Sequence, residues 1–369
     1  MATQQEIDIL LAEPTNFTYD QYSLIGSSCQ HIHIPRITEN EFLLYLHLIT
    51  FISTIFTLFA VYCIIFHSSH SMGQFKWCLL NLQSWTYITD FTLSSLTAPR
   101  FFFPIIGGRP LGILINLGMS VPLQIYFGFG CFGVMVASVT FLFLYRHQVT
   151  VNPDSLFNFN RPFQIAVMVL NYLIYINTTL PALFTSPESQ VATKIDIMRT
   201  ERCPPKDILH ADSFVLQKSI TLLFPYFCFL VIFVGAQCGL MALHCSWILF
   251  FSTLTRKLSK RTRRMQVKFL FALLAQIAIP TTLCYCPIFY YAITTLIDHY
   301  WQFANDLCVL IISTHGLISA TCVLLFYDCY RHHLISLLCF RSFRKSALTT
   351  GITSRNSIIM TNFNVTVMT

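Results

Sequence analysis

Charge is what this chain of 369 residues has least of. Asp, Glu, Lys and Arg make up 11% of it, against 54% hydrophobic residues. Soluble globular chains carry about a quarter charged residues. So few charges cannot cover a water-facing surface of this size. A single very large soluble core is the alternative, and it is disfavoured because the apolar residues fall in long unbroken blocks. Catalytic signatures are missing too. There is no phosphate-cradling glycine loop, no Gly-x-Ser-x-Gly and no His-Glu-x-x-His, and the 12 histidines are scattered. The 14 cysteines show no zinc spacing, since Cys284 and Cys286 are too close together and no His pair completes a set. No enzyme activity, cofactor or metal is expected. Residues 1–41 hold one basic residue, Arg36, six acids and no apolar stretch long enough for a secretory signal. The first spanning helix is therefore expected to direct its own insertion, carrying an acidic tail across.

What is present is a succession of apolar blocks near the 20 residues that a bilayer core of about 30 Å requires. They run over 42–66, 77–98, 121–145, 163–184, 219–251, 269–297 and 301–327. The expectation is an all-α membrane protein, a bundle of seven transmembrane helices. Residues 1–41 form an outer tail. Residues 328–369 form an inner tail, with a short surface helix around Arg331, His332 and His333 before a polar, unstructured end. The stretch from Pro99 to Gly118 is also hydrophobic, but Pro99, Pro104, Gly107, Gly108, Pro110 and Gly112 argue against a continuous helix. It is read as an outer loop lying on the membrane or capping the bundle. Pro280 and Pro287 predict kinks in the sixth helix. There is no internal repeat of the kind found in many transporters.

Loop charge sets the orientation. With the N-terminus outside and the C-terminus inside, the inner segments hold 15 Lys and Arg against two acids, and the outer ones 8 against 12. That is the positive-inside pattern, and it accounts for the net charge of +7 without a nucleic-acid partner. The partner it implies is the lipid bilayer.

Each candidate residue has a functional and a plainer reading. Asp90 lies mid-span, either as a polar switch or ion site or as a carboxyl kept neutral by Thr86 or Thr89. Cys29 and Cys203 fall in outer segments and are candidates for a disulfide tying the tail to the long second outer loop. Two free thiols, or pairing with Cys131, are the alternatives. Asn16 opens a glycosylation triplet, and Cys339 is either a palmitoylation site or an ordinary thiol. The basic stretch Arg256, Lys257, Lys260, Arg261, Arg263, Arg264 and Lys268 sets topology and attracts anionic lipid, and is also a candidate docking surface for an acidic partner.

Met72-Gly73, Lys76-Trp77, Leu79-Leu80, Asp90, Pro99, Pro104 and Gly107 resemble the second-helix signature of the nematode serpentine chemoreceptors of class H. Gly118, Pro122 and Gln124-Ile125-Tyr126, with Phe143 to Arg146, are similar to the family's third span. Arg263 to Gln266, Phe269, Gln276 and Pro280 are similar to its sixth, and His315-Gly316 with Tyr330-Arg331 to its seventh. The likeness covers 42–334, and the Str and class I sister families share parts of the pattern. It implies a G-protein-coupled chemoreceptor in the plasma membrane of a sensory neuron, at its cilium. A small-molecule ligand would bind in the outward half of the bundle. A heterotrimeric G protein would meet the inner faces near Arg146, Arg256, Lys257, Arg261, Arg263 and Arg264. The chain departs from rhodopsin-like receptors: Tyr145-Arg146-His147 stands in place of Asp-Arg-Tyr, the seventh span lacks Asn-Pro-x-x-Tyr, and no Cys opens the third. Coupling thus rests on likeness of fold. A ligand-gated channel or transporter is the alternative, and would need repeats or several intramembrane charges. An integral-membrane enzyme would need a His or carboxylate cluster on facing helices.

Overall fold

The computed structural model describes residues 37–200, 206–217, 220–251 and 260–337. Asn16, Cys29, Cys203, Arg256, Lys257 and Cys339 lie outside them, and of Arg261 only the backbone is described. Seven helices form the bundle. α1 (Glu39–Phe66) starts at a capping box in which Thr38 and Glu41 satisfy each other's backbone N–H groups. α2 (Phe75–Phe91) runs on into a π-helical stretch, Thr92–Thr97. α3 (Val121–Thr150) and α4 (Arg161–Ile176) each carry Pro in the first turn, where its missing N–H costs nothing. After α4 the chain turns and resumes as Leu180–Phe184.

α5 (Ile220–Phe251) and α6 (Lys260–Ile297) follow, and the α6 helix continues unbroken through Pro280 and Pro287. α7 spans the expected block as Gln302–Ser313 and His315–Phe326, with a one-residue turn at Thr314 between them. Six of these stretches are long and apolar enough to cross a membrane. The exception is α2, which at 17 residues falls short of about 30 Å and is completed by the π-helical stretch. This is a multi-pass membrane protein. A further helical segment, 328–337, follows α7.

The Pro- and Gly-rich stretch after α2 does not lie flat. It folds into β1 (Pro99–Phe101) and β2 (Ile106–Pro110), antiparallel with Arg100 opposite Arg109. β3 (Phe214–Gln217) adds beside β2. A loop helix, Gln190–Thr200, completes this cap, whose small core joins Phe102, Ile105, Ile197, Met198, Ile208 and Val215. The bundle thus has a sheet end and, opposite it, a basic end where α6 begins.

α3 is the central helix. Its most apolar window is 61% buried, while that of α5 holds no fully buried residue, as suits a peripheral helix that faces lipid on one side. α3 and α4 cross at Gly133, where a Cβ would overlap the Tyr175 carbonyl. The main apolar core lies in the basic-end half and joins Leu79, Leu142, Leu273 and Val323 from α2, α3, α6 and α7.

Candidate functional site

Polar groups buried in a bilayer-spanning bundle are costly unless paired. The two pieces of α7 concentrate them at two levels. At the sheet end, Asp306 on the first piece has no solvent exposure. Arg100 of β1 grips it with two parallel bonds, Nε to Oδ1 at 3.1 Å and NH2 to Oδ2 at 2.9 Å. The same guanidinium donates to the Ile37 carbonyl at 2.8 Å and approaches Asp207 at 3.6 Å and Glu39 at 3.9 Å. Arg109, across the hairpin, donates to the same Glu39 oxygen at 2.7 Å. Burial alone would ease the proton off Arg100, but the bonds and charge of Asp306, with Asp207 and Glu39, more than offset it. Arg100 is held above its ordinary pKa.

Neighbouring side chains stitch the cap to α7. Gln302 donates to Asp306 at 2.6 Å and to the Phe101 carbonyl at 3.2 Å. Asn305 donates to the Phe103 carbonyl at 2.9 Å. Tyr291 of α6 stacks on Phe103 at 4.2 Å and donates to the Asn305 carbonyl. The cap, α1, α6 and the first piece of α7 therefore meet around one ion pair.

The second level lies beyond the break in α7. Asp90 of α2 accepts the Gly316 N–H at 2.6 Å, and His315 Nδ1 sits 3.7 Å from its other oxygen. Gly316 is required by this approach, because a Cβ there would overlap the carboxylate. Of the two hydroxyls named as able to keep Asp90 neutral, that of Thr89 donates to the Trp85 and Cys131 carbonyls. Cys131 itself is buried in α3 with a free thiol. Both acids are deep: Asp90 is 5% and Asp306 0% exposed.

At the basic end Arg146 is 7% exposed. Its guanidinium lies over the rings of Phe75 and Phe269, each at 5.5 Å, and donates to the Gln266 carbonyl of α6 at 3.2 Å. Tyr327 at the end of α7 donates to Gln276 of α6 at 3.0 Å just beyond. Arg263 points to α5, where it donates to the Leu249 and Phe250 carbonyls, while Arg264 lines a surface groove. The basic candidates are therefore not one surface. Sequence reasoning missed the roles of Arg100 and Asp306, and had His315 and Gly316 only as part of the family likeness. A signal existed for the first two, since an acid inside an apolar block calls for a counter-charge and Arg100 stood in a hydrophobic loop.

The fold defines a seven-helix membrane protein in which polar contacts tie a capping sheet to the helices. Over residues 38–340 the sequence matches the family described as serpentine type 7TM GPCR chemoreceptor Srh, and the chain belongs to it. It is similar to the serpentine receptor class H-72 of Caenorhabditis elegans, with 24% identity over 299 residues, 79% of this chain and 83% of that one. The family is one of receptors.

Proposed function

We propose that this chain detects a small molecule in the sheet-end half of its bundle and passes binding to a heterotrimeric G protein at the basic end. The N-terminus would be outside the cell and the C-terminus inside. The observation that carries this reading is the divided α7. Its first piece is bound to the cap through Arg100 and Asp306, and its second to α2 through Asp90 and Gly316. A ligand that prefers one arrangement of the cap alters the first piece, and the break around Thr314 lets the second respond. A ligand shifts such an equilibrium only by its differential affinity for the two states.

At the other end, a shift of α6 frees Arg146 from its two rings and the Gln266 carbonyl. Arg146 then meets the G protein beside Arg256, Lys257, Arg261 and Arg264, and Pro280 and Pro287 give α6 places to bend. Loop charge supports the orientation. The plasma membrane of a sensory neuron, at its cilium, is the location consistent with such a role.

The test is a second-messenger recording from cells expressing the chain, exposed to a panel of volatile and water-soluble cues. Asp90→Asn and Arg146→Gln, at equal surface expression, are expected to bind an active cue and fail to signal. Full signalling by both variants sinks the proposal. Tags at the two ends, read before and after permeabilisation, check the orientation.

A further inference from the structure

Three basic residues share the exposed face of α6, and only Arg264 among them is also placed at the proposed G-protein contact. Lys260, Arg264 and Lys268 follow one another at intervals of four, so they form a stripe along one side of the helix. With Met265 and Asp328 they line a groove between the start of α6 and the segment after α7. Arg263, between them in sequence, is turned to the last carbonyls of α5. The fold thus separates one basic side chain that caps a helix from three that face outward.

The level of the groove is set by that same contact. Arg263 against Leu249 places the stripe beside the last turns of α5, where Trp247 is 62% and Phe251 67% exposed. Phe271, just past Lys268, is 61% exposed. An exposed Trp at the end of a spanning helix, as Trp247 is, belongs at the membrane interface, among the lipid headgroups. A carboxylate already occupies part of the stripe. Asp328 accepts from Lys268 at 3.1 Å and from Arg331 at 2.5 Å. It stands where an external anion would sit.

We propose that this groove binds the phosphorylated headgroup of an anionic membrane lipid, with Lys260, Arg264 and Lys268 as its donors and Asp328 as the internal anion that it displaces. A phosphate monoester offers more charge and more acceptor oxygens than one carboxylate, and basic pockets between helices at the membrane face suit such headgroups. The inference needs the membrane and the groove, and it does not depend on signalling.

The experiment uses the purified full chain in uncharged detergent micelles. Fluorescent phosphatidylinositol 4,5-bisphosphate is the probe and anisotropy the readout. Saturable binding is expected. Lys260→Gln, Arg264→Gln and Lys268→Gln together should weaken it by about 100-fold, the sum of three basic contributions. Asp328→Asn removes the competitor and should tighten binding about twofold to threefold, a gain that misfolding cannot imitate. Wild-type affinity in the triple variant, or no gain with Asp328→Asn, overturns the site. Equal competition by free inositol 1,4,5-trisphosphate would assign the groove to a soluble phosphate and overturn the lipid.

Discussion

Replacing Asp306 by Asn tests whether the ion pair at the sheet end fastens the cap to the bundle. The change keeps the shape and removes the charge that Arg100 faces through two bonds, 3.1 and 2.9 Å long. Breaking a buried pair by removing one partner costs about 3–5 kcal/mol, because the survivor stays buried without its counter-charge. Two other carboxylates remain near Arg100, but Glu39 and Asp207 are more than a third exposed and lie at 3.9 and 3.6 Å. They soften the loss, so the low end, about 3 kcal/mol, is expected. For a chain of 369 residues that corresponds to a fall in unfolding temperature of about 4 °C. The assay is heating of the detergent-solubilised chain with a thiol-reactive dye, which reports the exposure of buried thiols such as Cys63, Cys78 and Cys131. The double change Arg100→Met with Asp306→Leu removes both charges and should recover most of the loss. A single variant within about 1 °C of the parent, or a double variant no better than the single, refutes the reasoning.

Three further outcomes follow from other contacts. Gly316→Ala forces a methyl group against the Asp90 carboxylate and should destabilise the chain by about 1–3 kcal/mol; adding Asp90→Ala should return part of that in the same thermal assay, and no recovery would place the clash elsewhere. Gly133→Val should separate α3 from α4 at the Tyr175 carbonyl, seen as a marked fall in folded yield; a normal yield would show that the helices can part there at little cost. The hydrogen bond from Lys268 holds Asp328 below the ordinary carboxylate range, against a small opposing effect of burial and with help from the charges of Lys268, Arg331 and His332. A lowered carboxylate stabilises above its unfolded pKa of about 3.9 and loses that contribution as pH falls through the folded value. The unfolding temperatures of the parent and Asp328→Asn should therefore differ by a constant, small amount from pH 7 to about 4 and converge below. The pair is exposed, so the difference is under about 1 kcal/mol. A gap that widens on acidification would contradict the assignment.

Much of the bundle was legible because spanning a bilayer demands a long apolar run, and hydropathy reads length and composition directly. The loop from Pro99 to Gly118 was legible as a non-helix for the same reason its residues form a hairpin: Pro and Gly resist helix and favour turns and edge strands. The break in α7 was not read from the sequence, although Ser313, Thr314, His315 and Gly316 interrupt the apolar run at that point. Arg100 and Asp306 are 206 residues apart, so their union depends on tertiary packing that no local pattern carries. Arg146 read as an inward-loop residue because it ends an apolar block, yet aromatic faces from α2 and α6 enclose it. Flat rings can shelter a guanidinium where a sequence reader looks for a carboxylate.

The sheet at the capped end has both its borders closed by side chains. Gln190 accepts the Val215 N–H and donates to its carbonyl, as a neighbouring strand would. On the opposite border the Phe101 and Phe103 carbonyls take Gln302 and Asn305. A peptide cannot join this sheet as a fourth strand without first displacing those amides, and a second copy of the chain meets the same barrier. Both borders of the sheet are thereby closed to an added strand, and the sheet ends at this chain's own side chains.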